Sequence, residues 1–217
     1  FGWKANQATL KDQVTDAFSG DLGISSSLHP ANAGDCTPAQ TACIAAPDGG
    51  DAKSGNVEIN DHLLDLVTFY SRNLAVPARR HVGNPEVLAG KKVFYEAGCI
   101  ACHRPKYVTP HDPLRPEQSF QLVWPYTDML LHDMGDDLAD NRPDGLADGR
   151  EWRTPPLWGI GLTKTVSGHT NFLHDGRARS LLEAILWHGG EAAAARNRVI
   201  ALPTGDRENL LRFLNSL

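Results

Sequence analysis

Three residues within five positions carry the clearest chemical signal in this sequence. Cys99 and Cys102 are separated by two residues, and His103 follows directly, in the segment "GCIACH". Two thiols can bond the two vinyl groups of a haem while the adjacent imidazole ligates its iron, and C-x-x-C-H is the attachment signature of haem c. We therefore predict one covalent haem c in this chain, held by Cys99 and Cys102, with His103 as an iron ligand.

Two other uses of this cysteine pair are less favoured. A structural zinc takes four ligands, and the remaining cysteines, Cys36 and Cys43, lack the spacing of a second ligand pair. A thioredoxin-type dithiol belongs to a βαβ unit, whereas a helical pattern precedes the motif here. The motif therefore favours haem over zinc or a redox-active dithiol.

The opposite face of the iron needs its own ligand, and the candidates are Met129, Met134, His132, His169, His174 and His188. His188 is favoured because Ser180 and Glu183 form a capping box that starts a helix at Leu181, which puts position 188 on the same apolar face as Leu181. A histidine on an inward face needs a partner for its ring nitrogens, and iron is one. Met134 is the alternative, since a thioether often accompanies histidine in cytochromes.

Other side chains are candidates for the surroundings of the haem. Arg153 and Arg177 are predicted to pair with the haem propionates, because guanidinium groups match carboxylates bidentately. His174 is predicted to bond a propionate or the backbone rather than iron. Gly189 and Gly190 are predicted to end the preceding helix and to leave space beside a porphyrin.

The second cysteine pair lies in a loop of small and polar residues, "DCTPAQTAC". We predict a disulfide between Cys36 and Cys43, which would stabilise the fold by about 2.5 kcal/mol because it closes a short loop. A disulfide and a covalent haem both indicate an oxidising compartment. The protein is therefore expected to be periplasmic or otherwise exported, and its start at Phe1 rather than Met fits a processed or truncated product.

Composition excludes several classes of function. The chain has 217 residues, of which 41% are hydrophobic, and a formal net charge of −5. A negative chain without a basic run gives no reason to expect nucleic-acid binding. The apolar stretches are much shorter than the roughly 20 residues of a membrane span.

The pattern of apolar residues predicts helices separated by long irregular loops. Helices are predicted over residues 8–18, after the N-cap Asn60, after Asn84-Pro85, and over residues 206–217. The helix after Asn60 has its apolar stripe at Leu63, Val67, Tyr70 and Leu74. Because no β-type alternation is evident, we predict an all-α fold: a cytochrome c-like haem domain with long irregular loops, plus an N-terminal helical and irregular segment.

Longer segments resemble a known family. "AGKKVFYEAGCIACH" (89–103) resembles the first helix and haem site of the cytochrome c fold, while "EWRTPPLWGIG" and "NFLHDGRARSLLEAILWHGG" resemble the C-terminal haem domain of bacterial di-haem cytochrome c peroxidases. The chain is more similar still to the related di-haem thiol oxidoreductase-like proteins, in which "FGWKA", "LLHDMG" and "HDGRA" recur. The resemblance extends over essentially the whole chain.

The resemblance implies several further features. In the cytochrome c fold a glycine and an aromatic residue of the first helix pack against the last helix, which implies that Gly90 and Phe94 contact the helix at 206–217. In the peroxidases a methionine stands where this chain has His188. The peroxidases also hold calcium partly through carbonyl groups near "HTNFLHDG", so calcium is a further candidate cofactor.

These families carry two haems, and this sequence has one C-x-x-C-H motif. The resemblance therefore implies an upstream haem domain before Phe1, with residues 1–82 as its tail or a linker and residues 83–217 as the cytochrome c-like domain. In the peroxidases the C-terminal haem relays electrons and peroxide reacts at the N-terminal haem.

We accordingly expect a c-type haem-binding electron-transfer domain with no catalytic residues of its own, served by a redox partner protein. It would form the C-terminal part of a periplasmic di-haem oxidoreductase of peroxidase-like or thiol oxidoreductase-like type. Two alternatives remain open. One is a peroxidase-type enzyme site in this domain itself, and the other is a haem-based redox or gas sensor.

Overall fold

A computed structural model describes residues 1–217, and eight α-helices form its main elements. They are α1 (Leu10–Leu22), α2 (Thr41–Ile44), α3 (Asp61–Arg72), α4 (Pro85–Glu96), α5 (Thr163–Ser167), α6 (Leu181–Leu186), α7 (Ala193–Ala201) and α8 (Thr204–Ser216). Four short strands are β1 (Tyr107–Val108), β2 (Leu122–Val123), β3 (Leu131–Asp133) and β4 (Glu151–Arg153). None of the helices is both long enough and apolar enough to cross a membrane.

The prediction of an all-α fold is wrong. Helical residues, with the 3₁₀ turns included, account for 42% of the chain, and strand and bridge residues account for 7%. Two antiparallel sheets, β1-β2 and β3-β4, make this a mixed α/β fold. Strand β3 pairs with β4 so that His132 lies opposite Trp152. Strands of two or three residues are too short to show alternating polarity, which is why the sequence pattern gave no sign of them.

The chain divides into two compact units. The first contains residues 1–2 and 7–75, and the second contains residues 3–6 and 76–217. The division predicted from the sequence, between residues 82 and 83, assigns the first part to an upstream domain. That assignment stays a prediction, because contacts within the chain do not identify the domain from which the first unit derives.

In the first unit, α1 and α3 are both fixed at their N-termini by side-chain caps. Thr9 and Asp12 form a capping box on α1, and the Asn60 side chain accepts a hydrogen bond from Leu63 N–H, as the N-cap prediction requires. The core face of α3 differs from the predicted stripe. Leu64 is fully buried, whereas Tyr70 on the predicted stripe is 66% exposed.

In the second unit, α4 crosses α8 at close range. A Cβ atom on Gly90 would collide with the backbone carbonyl of Asn209 and lie 2.9 Å from Cβ of Phe213, so the crossing requires a glycine. The Phe94 and Phe213 rings, both buried, lie 5.3 Å apart. The predicted packing of Gly90 and Phe94 against the last helix is confirmed, and it fixes the helix that leads to Cys99.

Candidate functional site

The C-x-x-C-H motif follows α4 through a tight turn. Gly98 adopts φ +84°, a left-handed conformation that glycine accepts without strain, and residues Cys99–Ala101 form a single 3₁₀ turn. Arg198 fixes this turn from α7 by donating to the Ala97 carbonyl at 3.1 Å. The two thiols of the motif are thus presented on one turn, and neither is in a disulfide.

The thiols do not have the character of a reactive dithiol. Burial raises the pKa of the Cys99 thiol to about 11, and burial also raises the pKa of Cys102. Redox-active and nucleophilic cysteines instead have lowered pKa values. The raised pKa values therefore argue against a thiolate nucleophile or a redox-active dithiol at this motif.

The His103 and His188 rings are neighbours, and their planes are tilted by 45° to each other. His103 Nδ1 donates to the Tyr126 carbonyl at 2.9 Å, and His188 Nδ1 donates to the Ala184 carbonyl at 2.7 Å. Each backbone acceptor fixes the ring orientation and the tautomer, which leaves Nε2 as the nitrogen with a free lone pair. The two ring centroids are 6.4 Å apart.

This separation tests whether the residues fit a haem iron. Two metal–nitrogen bonds of about 2 Å each, plus about 1 Å from each nitrogen to its ring centroid, predict centroids about 6 Å apart. The observed 6.4 Å between His103 and His188 agrees with one metal ion between the two rings. The residues present therefore fit the group that the motif implies.

Electrostatics keep both imidazoles neutral. Burial, reinforced by the neighbouring His188, lowers the pKa of His103 to about 4. Burial also lowers the pKa of His188. Neutral imidazole is the form that ligates metal ions, so at neutral pH neither ring has to lose a proton first.

The other candidates for the second axial position have different surroundings. Met129 is partly exposed, and its sulfur lies 3.4 Å from a nitrogen of Arg153. His169 is exposed and accepts from the backbone N–H of Asn171 at 3.3 Å. Met134 lies just after β3, where its N–H donates to the Arg150 carbonyl at 3.0 Å. Among the histidines named from the sequence, only the His188 ring pairs with the His103 ring.

Residues around His188 are placed by a close approach of two backbone segments. Helix α6 is capped by Ser180, which accepts from Glu183 N–H as predicted, but it ends at Leu186, before the two glycines. A Cβ on Gly189 would lie 2.6 Å from the Met134 carbonyl oxygen, and one on Gly190 would lie 2.7 Å from Gly135 N. Glycine is thus required at both positions because the backbone of Met134 and Gly135 passes so close. The predicted space for a porphyrin beside the glycines stays a prediction.

The residues predicted to bind propionates each have protein partners. Arg153 donates to the carbonyl of Thr154 at 3.2 Å. Arg177 pairs with Asp175 at 2.6 Å and lies over the Trp187 ring. His174 stacks on Trp152 with ring centroids 3.6 Å apart. Their predicted role toward a haem is not tested by these contacts.

One cluster was not anticipated from the sequence. His132 donates from Nδ1 to Glu191 and from Nε2 to Asp128, each at 2.9 Å. Burial alone would lower the pKa of His132, but the bonds to the two carboxylates raise it overall. Cys102 lies beside Asp128 and His132, and the three offer possible metal ligands within 4.8 Å of one another. Three ligands fall short of the four of a structural zinc, and both nitrogens of His132 are already hydrogen-bonded.

The whole chain, residues 1–217, matches the model of a protein family described as "Di-haem oxidoreductase, putative peroxidase". The chain belongs to this family. Membership implies haem binding and an oxidoreductase function of peroxidase-like type, as the resemblance predicted. A search of curated proteins and a search of solved structures returned no match.

Family membership and the geometry together define what the residues would do. Cys99 and Cys102 would hold the porphyrin, and His103 and His188 would ligate its iron. A bound haem supplies a one-electron couple between ferric and ferrous iron. The carbonyls of Tyr126 and Ala184 orient the two imidazoles. Neither the structure nor the family supports calcium.

Proposed function

We propose that residues 83–217 form a c-type haem domain that transfers electrons within a di-haem oxidoreductase. In this proposal Cys99 and Cys102 bind one haem covalently, and His103 and His188 are its axial ligands. Met134 is the alternative ligand opposite His103. The prediction of a second haem site upstream of Phe1, which would make this domain the C-terminal one, stays a prediction, as do the periplasmic location and the disulfide.

The observation that carries the proposal is the neighbouring pair of oriented imidazoles. The two rings are 6.4 Å apart, and each is held through Nδ1 by a backbone carbonyl. An iron with two protein ligands has no open position for peroxide or a gas. An electron relay therefore fits the arrangement better than a peroxidase site or a gas sensor in this domain.

Two measurements on haem-loaded protein test the proposal. Extraction with acid and acetone should leave the haem colour on the protein, because thioether bonds survive this treatment, and haem released into the solvent would refute covalent attachment. The ferrous absorption spectrum should be unchanged by carbon monoxide, because both axial positions are filled. A spectrum that shifts with carbon monoxide would instead support an enzyme site or a sensor.

A further inference from the structure

Cations and aromatic rings form a surface group beside the C-x-x-C-H motif. This group, the Trp124 patch, consists of Lys91, Tyr95, Arg104, Lys106, Tyr107 and Trp124. The ammonium groups of Lys91 and Lys106 lie 5.3 and 5.6 Å from the Trp124 ring centroid, and the Arg104 guanidinium lies 5.0 Å from that of Tyr107. The β1-β2 register, in which Tyr107 pairs with Val123, brings Lys106 next to Trp124.

The three cations of the patch have no acidic partner. Lys91, Arg104 and Lys106 lack a carboxylate oxygen within 4.0 Å, whereas the neighbouring Lys92 pairs with Glu96 at 3.7 Å. Because the chain has a net charge of −5, these three cations form a local positive group on an acidic protein. Each ammonium group is attracted to the indole ring by a cation–π contact, but the two like charges also repel each other, and no carboxylate of the chain pairs with them. A negatively charged surface of a partner would supply the missing ion pairs for these cations.

The patch is also connected through the backbone to His103, the proposed iron ligand. Trp124 is 36% exposed, and it lies two residues before Tyr126, whose carbonyl accepts the hydrogen bond from His103 Nδ1 at 2.9 Å. A second bond, from Thr127 N–H to the Arg104 carbonyl at 3.0 Å, ties the same segment to the motif. An exposed indole is thus linked to His103 by two peptide units and one hydrogen bond.

We propose that the Trp124 patch is the docking surface for an acidic one-electron carrier protein, with Trp124 at the point of electron entry. The proposal rests on the electron-transfer function proposed above. In the encounter, the carrier's reduced centre loses one electron and the ferric haem of this chain becomes ferrous. No proton or group is transferred, so the step needs no other reactant.

An acidic protein is the partner that the charges favour. The negative net charge of the chain repels such a partner, so attraction is confined to a local basic surface. Facing charges of opposite sign steer association and raise its rate, most strongly at low ionic strength. Exposed tryptophan and tyrosine are also the side chains enriched where proteins make contact.

The test compares two double variants of the haem-loaded protein that change the net charge equally. Lys91→Glu with Lys106→Glu reverses the patch, and Lys53→Glu with Lys164→Glu reverses two exposed lysines elsewhere that have no ion-pair partner. The probe is a reduced, acidic plant-type ferredoxin, whose low potential lets it reduce a haem with two histidine ligands, and a basic c-type cytochrome of similar size is the comparison for affinity. Affinity is measured by surface plasmon resonance, and haem reduction by stopped-flow absorbance.

At about 10 mM salt, we expect the patch variant to bind the acidic carrier at least about 10-fold more weakly than wild type, and its haem to be reduced at least about 10-fold more slowly. Both differences should vanish at about 1 M salt. The Lys53/Lys164 variant should stay close to wild type. Equal losses in both variants, or wild-type binding that does not prefer the acidic probe, would overturn the docking surface.

The docking surface and the relay fail in different ways. Reduction of both variants by dithionite at about 1 M salt, where the charges of the patch are screened, should match wild type, which shows that the haem centre itself is intact. The relay proposal fails if the ferrous wild-type protein binds carbon monoxide. The docking proposal fails if vesicles of anionic lipid bind the patch and the acidic carrier does not, whatever the carbon monoxide result.

Discussion

Replacement of Gly90 by alanine tests the helix crossing that positions the C-x-x-C-H motif. In an unobstructed helix the change would stabilise the protein, because glycine in a helix interior costs about 0.5–1 kcal/mol relative to alanine. At Gly90 the new methyl group would collide with the Asn209 carbonyl and crowd Phe213. The carbonyl belongs to the backbone of α8 and cannot rotate away, so the two helices have to separate.

The expected size follows from these two opposing effects. Overpacking costs about 1–3 kcal/mol, and a backbone obstacle places the cost near the upper end, so the net loss is about 2 kcal/mol after the helix-propensity gain. For a unit of this size, that loss corresponds to a fall of about 4–8 °C in melting temperature.

The assay is thermal unfolding of the haem-loaded protein followed by haem absorbance, because this signal reports on the second unit alone. Gly205→Ala is the matched control, since it lies in the first turn of α8 with no atom within 4 Å of the added Cβ. The control should be neutral or slightly stabilising. A Gly90→Ala protein as stable as wild type would show that the crossing is looser than described.

Two further predictions concern the charge cluster and the second cysteine pair. The bonds to Glu191 and Asp128 raise the pKa of His132. The stability that His132 contributes is therefore complete below its unfolded pKa and is lost as the pH rises through its folded pKa. The pKa values of both carboxylates are lowered, so the stability that they contribute is lost as the pH falls. Glu191→Gln should therefore lower the free energy of unfolding most at mildly acidic pH and least at alkaline pH. Urea unfolding over a series of pH values measures this, and a decrease in the free energy of unfolding that is the same at every pH would contradict it. The Cys36–Cys43 disulfide should keep both thiols from alkylation until a reductant is added, as mass spectrometry of the peptide that contains them can show. Alkylation of both without reductant would exclude the disulfide.

The features that were predictable from sequence are those determined by neighbouring residues. The N-caps at Asn60, Asn84 and Ser180 are formed as predicted, because an N-cap side chain bonds backbone groups two or three residues away. The C-x-x-C-H motif is likewise local. The contact of Gly90 with α8 could be predicted only from the family resemblance, because nothing within residues 85–96 specifies the partner helix.

The features that were missed depend on segments distant in sequence. The β3-β4 pair joins residues about 20 positions apart through an irregular acidic loop, so no local pattern indicated it. The carbonyl of Tyr126 orients His103, and every residue has a carbonyl, so no residue type marks that role. In α3 the apolar stripe predicted the wrong buried face, because both faces carry large apolar side chains and tertiary packing selected Leu64.

The most direct test of the account is the identity of the second axial ligand. In haem-loaded protein, His188→Ala should open the iron to carbon monoxide and change the ferrous spectrum on its addition, while Met134→Ala should behave as wild type does and remain unaffected. The ferric wild-type spectrum should also lack the weak band of an iron–methionine bond. If instead Met134→Ala admits carbon monoxide and His188→Ala does not, the neighbouring imidazoles are not the ligand pair and the central claim is wrong.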